Sequence, residues 1–179
     1  MVEHILSRTR ERDKTRKLRP TAARTLESVF DMLQGEIEER TVLDLFAGTG
    51  AFGILALKRG AKLAVFADST REAERRINKA LTQFRLEERA IVFREDVFHF
   101  LSRVSKDGRT YDIIFADPPY DLYSMKKVME AILNAAVLEP GGILVFEHSK
   151  REAPPQFEGL TLRRSRVFGD TTISIFDRV

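Results

Sequence analysis

Leu43-Asp44-Leu45-Phe46-Ala47-Gly48-Thr49-Gly50-Ala51-Phe52-Gly53 decides how this chain is read. The apolar run Thr41–Phe46 has the length and make-up of a strand buried on both faces. It ends in a turn whose glycines, Gly48, Gly50 and Gly53, stand at G-x-G-x-x-G spacing. Glycines between a buried strand and a helix allow a tight turn and close backbone approach to a ligand at the helix amino terminus. Alternation continues on both sides. Upstream, Pro20-Thr21 opens a helix in which Ala22, Leu26, Val29, Phe30 and Leu33 recur at helical spacing, with Gly35 as its stop. Downstream come a helix to Lys58, strand Leu63–Phe66, helix Thr70–Phe84 and strand Ala90–Arg94. Helix Phe98–Val104, strand Tyr111–Ala116, helix Met125–Ala135 and strand Gly142–Glu147 follow. This order predicts a mainly parallel sheet with helices on both faces.

A second string, Asp117-Pro118-Pro119-Tyr120, closes the run Tyr111–Ala116. Ligands of an open α/β sheet collect outside the carboxyl ends of the strands, so both strings are expected to face one crevice. The chain ends differently: Leu160–Phe168 and Thr171–Asp177 flank Gly169-Asp170, a hairpin signal. An α/β sheet of this kind, Rossmann-like, mainly parallel and closed by a C-terminal antiparallel hairpin, is the layout of class I S-adenosylmethionine-dependent methyltransferases rather than of nicotinamide enzymes.

Length and composition narrow the classes. With 179 residues and 43% hydrophobic content, the chain suits one domain with a sizeable core, expected over 19–179 behind a basic arm at 1–18. No apolar run reaches the roughly 18 residues of a membrane span, and the charged amino terminus lacks a signal-peptide core, so a cytoplasmic monomer without membrane attachment is expected. The absence of cysteine excludes disulfides, thiolate zinc sites and a Cys nucleophile. Three scattered histidines predict no metal site, with His99 and His148 read as surface or rim residues. Net charge is only +3, but Arg8 to Arg19 holds seven basic residues against Glu11 and Asp13, and Lys150, Arg151, Arg163, Arg164 and Arg166 add a second cluster. Such clusters neutralise backbone phosphates or form a solvated arm; charge alone does not decide between these.

The motifs carry the chemistry. Phe46, Ala47, Gly48, Thr49, Gly50 and Gly53 form the candidate cofactor loop, with Asp44 placed to meet an ammonium group through water or backbone. Asp68, 18 residues after Gly50 and followed by Ser69, is placed to accept ribose hydroxyls, or else to cap the helix from Thr70. Asp96 and Val97 are placed to offer a carboxylate and a backbone N–H to an adenine edge, or Asp96 caps the helix from Phe98. At the other string, two prolines stiffen the turn and leave carbonyl acceptors. Asp117 and the Pro118 carbonyl then accept the two hydrogens of an exocyclic amine, Pro119 completes the turn, and Tyr120 gives the base a stacking face. The combination points to methyl transfer from S-adenosylmethionine to an exocyclic NH2.

These residues resemble the bacterial small-subunit ribosomal RNA guanine-N2 methyltransferases, which act on one guanine of 16S rRNA. The likeness runs from about Leu18 to the carboxyl terminus. It is carried by Leu18-Arg19-Pro20-Thr21, Arg24 and Phe30, then Leu43 to Gly53, Asp117 to Tyr120, and Arg166-Val167-Phe168-Gly169-Asp170-Thr171. The resemblance implies S-adenosylmethionine and no metal, a 16S rRNA or small-subunit assembly particle as partner, and Asp117 to Tyr120 holding the guanine amine. It also implies RNA contact by Arg19, Pro20, Thr21 and Arg24, to which the charge pattern adds Arg16 and Lys17. Met1 to Lys17 keeps the family's basic character but has no glycine for its usual N-terminal hairpin. The alternative target is adenine N6 in DNA or another RNA.

Overall fold

A computed structural model describes residues 20–179, with side chains from Thr25 onward. Arg16, Lys17 and Arg19 lie outside the described residues, as do the side chains of Pro20, Thr21 and Arg24.

Helix α1 (Pro20–Met32) precedes the sheet. The elements then alternate: β1 (Thr41–Leu45), α2 (Ala51–Lys58), β2 (Leu63–Asp68), α3 (Arg71–Phe84), β3 (Ala90–Arg94), α4 (Val97–Lys106), β4 (Tyr111–Ala116) and α5 (Met125–Asn134). The chain closes with β5 (Leu138–Ser149), β6 (Leu160–Phe168) and β7 (Thr171–Arg178). All seven strands join one sheet in the order β3-β2-β1-β4-β5-β7-β6. Strands β1 to β5 are parallel neighbours, whereas β7 runs antiparallel to both β5 and β6.

Each strand sends alternate side chains to opposite faces, and the two faces bury separate cores. One face packs Val42, Phe66, Ile113, Phe115, Val145, Ile173 and Ile175 against α1, α2 and α3. The other packs Leu43, Leu45, Ile114, Leu144, Phe146 and Phe176 against α4 and α5. This two-sided burial explains why the parallel strands read as unbroken apolar runs.

Several element ends differ from the sequence reading. β1 stops at Leu45, because Phe46 takes a left-handed conformation (φ 57°) that leaves the sheet. β5 is twice the expected length: β7 pairs with it as far as Ser149, and beyond a bulge it reaches back to Leu138 opposite Tyr111. Pro140 and Gly141 lie within the irregular part of this strand. His148, read as a rim residue, is 1% exposed, with Nε2 against Ser174 Oγ at 2.9 Å and Nδ1 against the Ser149 carbonyl at 3.0 Å. Burial pulls its pKa below that of an ordinary histidine. His99 is exposed and lies 2.9 Å from Glu95.

The strand order reverses between β1 and β4, the topological switch point at which such sheets open a crevice. Leu45 is level with both Ala67 and Ala116, so the turns after β1, β2 and β4 leave the sheet side by side.

Candidate active site

Carboxylates build the β1 side of the crevice. Helix α2 begins at Gly50, which has no side chain to cap it. Asp44, on β1 beneath it, accepts the Gly53 N–H at 3.0 Å and so satisfies one of the free donors of the first turn. Asp44 is only 2% exposed, and desolvation pushes its pKa up to about 8 despite that bond. The group is therefore mostly protonated at neutral pH. Asp68 accepts the Gly48 N–H at 2.9 Å with one oxygen, and the N–H and hydroxyl of Thr70, each at 2.8 Å, with the other. Thr70 in turn caps α3 by accepting from the Ala73 N–H. The capping foreseen for Asp68 thus runs through Thr70, while Asp68 itself pins the glycine loop to β2.

Asp96 adopts the capping role that the sequence allowed, with Oδ1 accepting from the Phe98 and His99 N–H groups at 3.0 and 3.1 Å. Its neighbour Glu95 is held outside by Arg103 at 2.7 Å, which lowers the Glu95 pKa.

The glycines divide their work unevenly. A side chain at Gly53 would place Cβ 2.3 Å from the Phe66 ring, and one at Gly50 would meet Ile77 at 2.8 Å. At both, the absence of a side chain lets α2 pack closely against β2 and α3. Gly48 (φ 55°) is the open one: its nearest obstacle is the Phe46 carbonyl at 3.8 Å. Ala47 and Thr49 complete this loop, Ser69 follows β2, and Val97 opens α4 after Asp96.

Aromatic rings tie the turns together. Phe52, in the first turn of α2, stacks on Phe115 with centroids 4.3 Å apart and planes 9° apart, and Phe30 of α1 lies 5.0 Å from it. Phe115 is two residues before Asp117, so the glycine loop and the Asp-Pro-Pro-Tyr turn share one rigid support. On the opposite face, Phe46, Phe98 and Tyr123 meet with centroids 5.1 to 6.5 Å apart. They make a half-buried apolar wall next to Asp96 and Val97. Sequence reading missed Phe98 and Tyr123, because the three rings come from separate parts of the chain: the loop after β1, the first turn of α4 and the loop before α5.

The β4 side is built from distant parts of the chain. The β4–β5 register sets Ala116 beside Phe146, so Asp117 in the turn and Glu147 on β5 each follow that pair by one residue. Strand alternation then directs Glu147 to the face of Ile143 and Val145, the side of α1. Tyr120 donates its hydroxyl to Glu147 Oε1 at 3.1 Å, and Thr171 engages both residues. Burial, together with the negative charge of Glu147 and Asp117, raises the Tyr120 pKa far above that of an ordinary phenol; burial likewise raises Glu147. The Tyr120 ring is still 40% exposed, and Leu122 in the same turn is 70% exposed. Glu147 was not singled out from the sequence. Its signal is a charged residue at the carboxyl end of an apolar run that should be buried, which is where ligands gather.

Two side-chain bridges orient α1. Arg163 on β6 pairs with Glu36 just beyond the helix, and Arg166, three residues nearer the carboxyl end of β5, donates to Ser28 Oγ at 2.9 Å. The amino-terminal turns of α1, with Pro20, Thr21 and Arg24, therefore point to the crevice end of the sheet. Arg166 also lies over the Phe168 ring at 5.2 Å. Among the described residues, no cluster of His, Asp or Glu has the make-up of a metal site, and no helix is long and apolar enough to cross a membrane.

Comparison with known proteins agrees with this architecture. The family model described as "Conserved hypothetical protein 95" matches residues 6–177. The Bacillus subtilis (strain 168) protein named "Putative rRNA methyltransferase YlbH" is 32% identical over 161 residues, covering 89% of this chain and 88% of its own. "Ribosomal RNA small subunit methyltransferase D" of Buchnera aphidicola subsp. Acyrthosiphon pisum is 27% identical, covering 84% and 77%. Among solved structures, SMU.776, described as "a putative methyltransferase complexed with SAH", superposes with a TM-score of 0.75 at 16% identity, over 89% of this chain and 50% of that one. That likeness shows the fold alone. This chain belongs to the Conserved hypothetical protein 95 family.

Proposed function

We propose that this protein transfers a methyl group from S-adenosylmethionine to the exocyclic N2 amine of a guanine in small-subunit (16S) ribosomal RNA. Methyl transfer to ribosomal RNA is supported by the names of its relatives. The observation that carries the reading is the side-by-side exit of the glycine loop and the Asp117-Pro118-Pro119-Tyr120 turn at the switch point, with Leu45 level with Ala116.

The residues fit the cofactor. Gly48 leaves a cradle that a side chain would narrow, and Asp68 and Asp96 bring carboxylates to the ends of β2 and β3. The loop from Phe46 to Gly53 with Asp44 would hold the methionine part, Asp68 and Ser69 the ribose, and Asp96 and Val97 the adenine, with Phe98 and Tyr123 as an apolar wall. When bound, S-adenosylmethionine supplies a methyl group on a positively charged sulfur.

The remaining work belongs to the chain. Asp117 and the Pro118 carbonyl accept the two amine hydrogens and turn the nitrogen lone pair towards the methyl carbon. Pro119 stiffens the turn, and Tyr120 stacks on the base, an interaction worth about 1–3 kcal/mol. Holding the reactants in line supplies a large part of the rate. Pro20, Thr21 and Arg24 on α1 with Arg16, Lys17 and Arg19 before it form the RNA-facing side, and residues 19–179 act as one catalytic domain. RNA loops and assembly intermediates present such an amine unstacked, which spares the cost of flipping it from a duplex.

The test is transfer of labelled methyl from S-adenosylmethionine, offering unmodified small subunits, free 16S rRNA and plasmid DNA in parallel, followed by digestion to nucleosides. Label in N2-methylguanosine from rRNA is expected. Label in N6-methyladenine would replace the reading with an adenine target.

A further inference from the structure

Guanine and adenine differ at the edge that a methylating enzyme must grip. Guanine offers N1–H beside its N2 amine, a row of donors, whereas adenine and 2-aminopurine carry a bare acceptor at N1. A carboxylate is an acceptor only, and so attracts the first edge and repels the second. Asp117 opens the turn one residue after β4 and Glu147 lies one residue further along β5 than Phe146, the partner of Ala116, and Tyr120 meets both: its hydroxyl bonds Glu147 and the charge of Asp117 acts on it. Two carboxyl groups so placed can take two adjacent donors of one base.

We propose that Glu147 is a specificity-determining residue that accepts the guanine N1–H while Asp117 holds the N2 amine. This rests on the guanine reading above and adds the group that selects the base. Tyr120 has a second task here. Its hydroxyl donates to Oε1, which orients the carboxyl group and favours the charged form that burial would otherwise oppose. Thr171 supports the same carboxyl group from β7. Tyr120 thus stacks on the base with its ring and aims the reader of that base with its hydroxyl.

The experiment exchanges the acceptor for a donor. In Glu147→Gln the amide oxygen keeps the Tyr120 hydroxyl, and the NH2 faces the base. Single-turnover methyl transfer is measured on RNA carrying either guanine or 2-aminopurine at the methylated position, because 2-aminopurine keeps the N2 amine and lacks N1–H. Wild-type protein is expected to prefer guanine by about 100-fold, within the range for loss of a well-made base contact. Glu147→Gln should bring the two rates within about 5-fold of each other, with cofactor affinity unchanged as the check on folding. A residue that merely steadied Tyr120 would slow both substrates in proportion, and an unchanged preference overturns the proposal.

Tyr120→Phe is the second arm. It keeps the carboxyl group, so transfer slows but the preference for guanine stays at least about 10-fold; a lost preference counts against the proposal. A wild-type protein that leaves guanine unmethylated overturns the guanine reading itself, and this proposal with it.

Discussion

The two halves of the crevice are made differently. On the β1–β3 side, each carboxyl group is already bonded to the protein's own backbone: Asp44 to Gly53, Asp68 to Gly48 and Thr70, Asp96 to Phe98 and His99. On the β4–β7 side, a carboxyl group meets a phenol from another loop, Glu147 with Tyr120, at a separation of 27 residues. The first half is a set of short-range devices that fix loop shape before any ligand arrives. The second is assembled only when the sheet is complete, and leaves the Tyr120 ring and Leu122 open to solvent. A rigid cofactor side and an open acceptor side suit a transfer between a small donor and a large RNA.

This contrast can be broken at several points, in order of expected effect. Gly53→Ala should damage the cofactor half through packing alone. Its Cβ would sit 2.3 Å from the Phe66 ring, and overpacking a close helix–strand contact costs about 1–3 kcal/mol, near the upper end here. Urea unfolding would measure it; an unchanged midpoint would show that α2 is free to shift.

Asp44 gives a pH signature next in size. Its folded pKa of about 8 lies above the ordinary 3.8, so the native state holds a proton that the unfolded chain releases. The associated stability is fully present below about pH 4 and is lost as pH rises through about 8. Asp44→Asn keeps the shape without the charge, and its stability relative to wild type should climb between about pH 6.5 and 9 by on the order of 2 kcal/mol. A difference that stays flat across that range would mean that the carboxyl group is solvated after all.

Asp68→Ala releases both the glycine loop and Thr70, and should weaken S-adenosylmethionine binding about tenfold, the effect of one lost charge-assisted hydrogen bond. RNA affinity should hardly move, and calorimetry with each ligand gives the ranking. The reverse ranking would put Asp68 on the acceptor side. The smallest effect is expected from replacing Arg16, Lys17 and Arg19 by Ala. The dependence of log Kd for RNA on log salt should flatten by up to about 2, near 0.7 per phosphate contact. An unaltered slope would make these residues a solvated arm.

The same contrast explains what could be read from sequence. The β1–α2 turn, the carboxylate at the end of β2 and the Asp-Pro-Pro-Tyr turn are local, each contained in one strand and its following loop, so spacing reveals them. The parallel sheet and its closing hairpin follow from apolar runs and Gly169-Asp170 in the same way. Local reading also has a limit: it read Gly50 and Gly53 as room for a ligand and could not show that Ile77 and Phe66 press on them from other elements. Glu147, Thr171, Phe98, Tyr123 and the buried setting of His148 depend on register between strands or on loops meeting across the sheet. No window of sequence contains those contacts. The pairing of Arg166 with Ser28 spans 138 residues and shows the point at its extreme.

The most direct test of a cofactor half separable from an acceptor half is Asp117→Ala, comparing its dissociation constant for S-adenosylmethionine with its single-turnover rate on small-subunit RNA. The expected result is cofactor affinity within about twofold of wild type and transfer slowed by about 100-fold or more, the scale of losing alignment between reactants. Equal losses in affinity and rate would contradict the account, because Asp117 would then belong to the cofactor half.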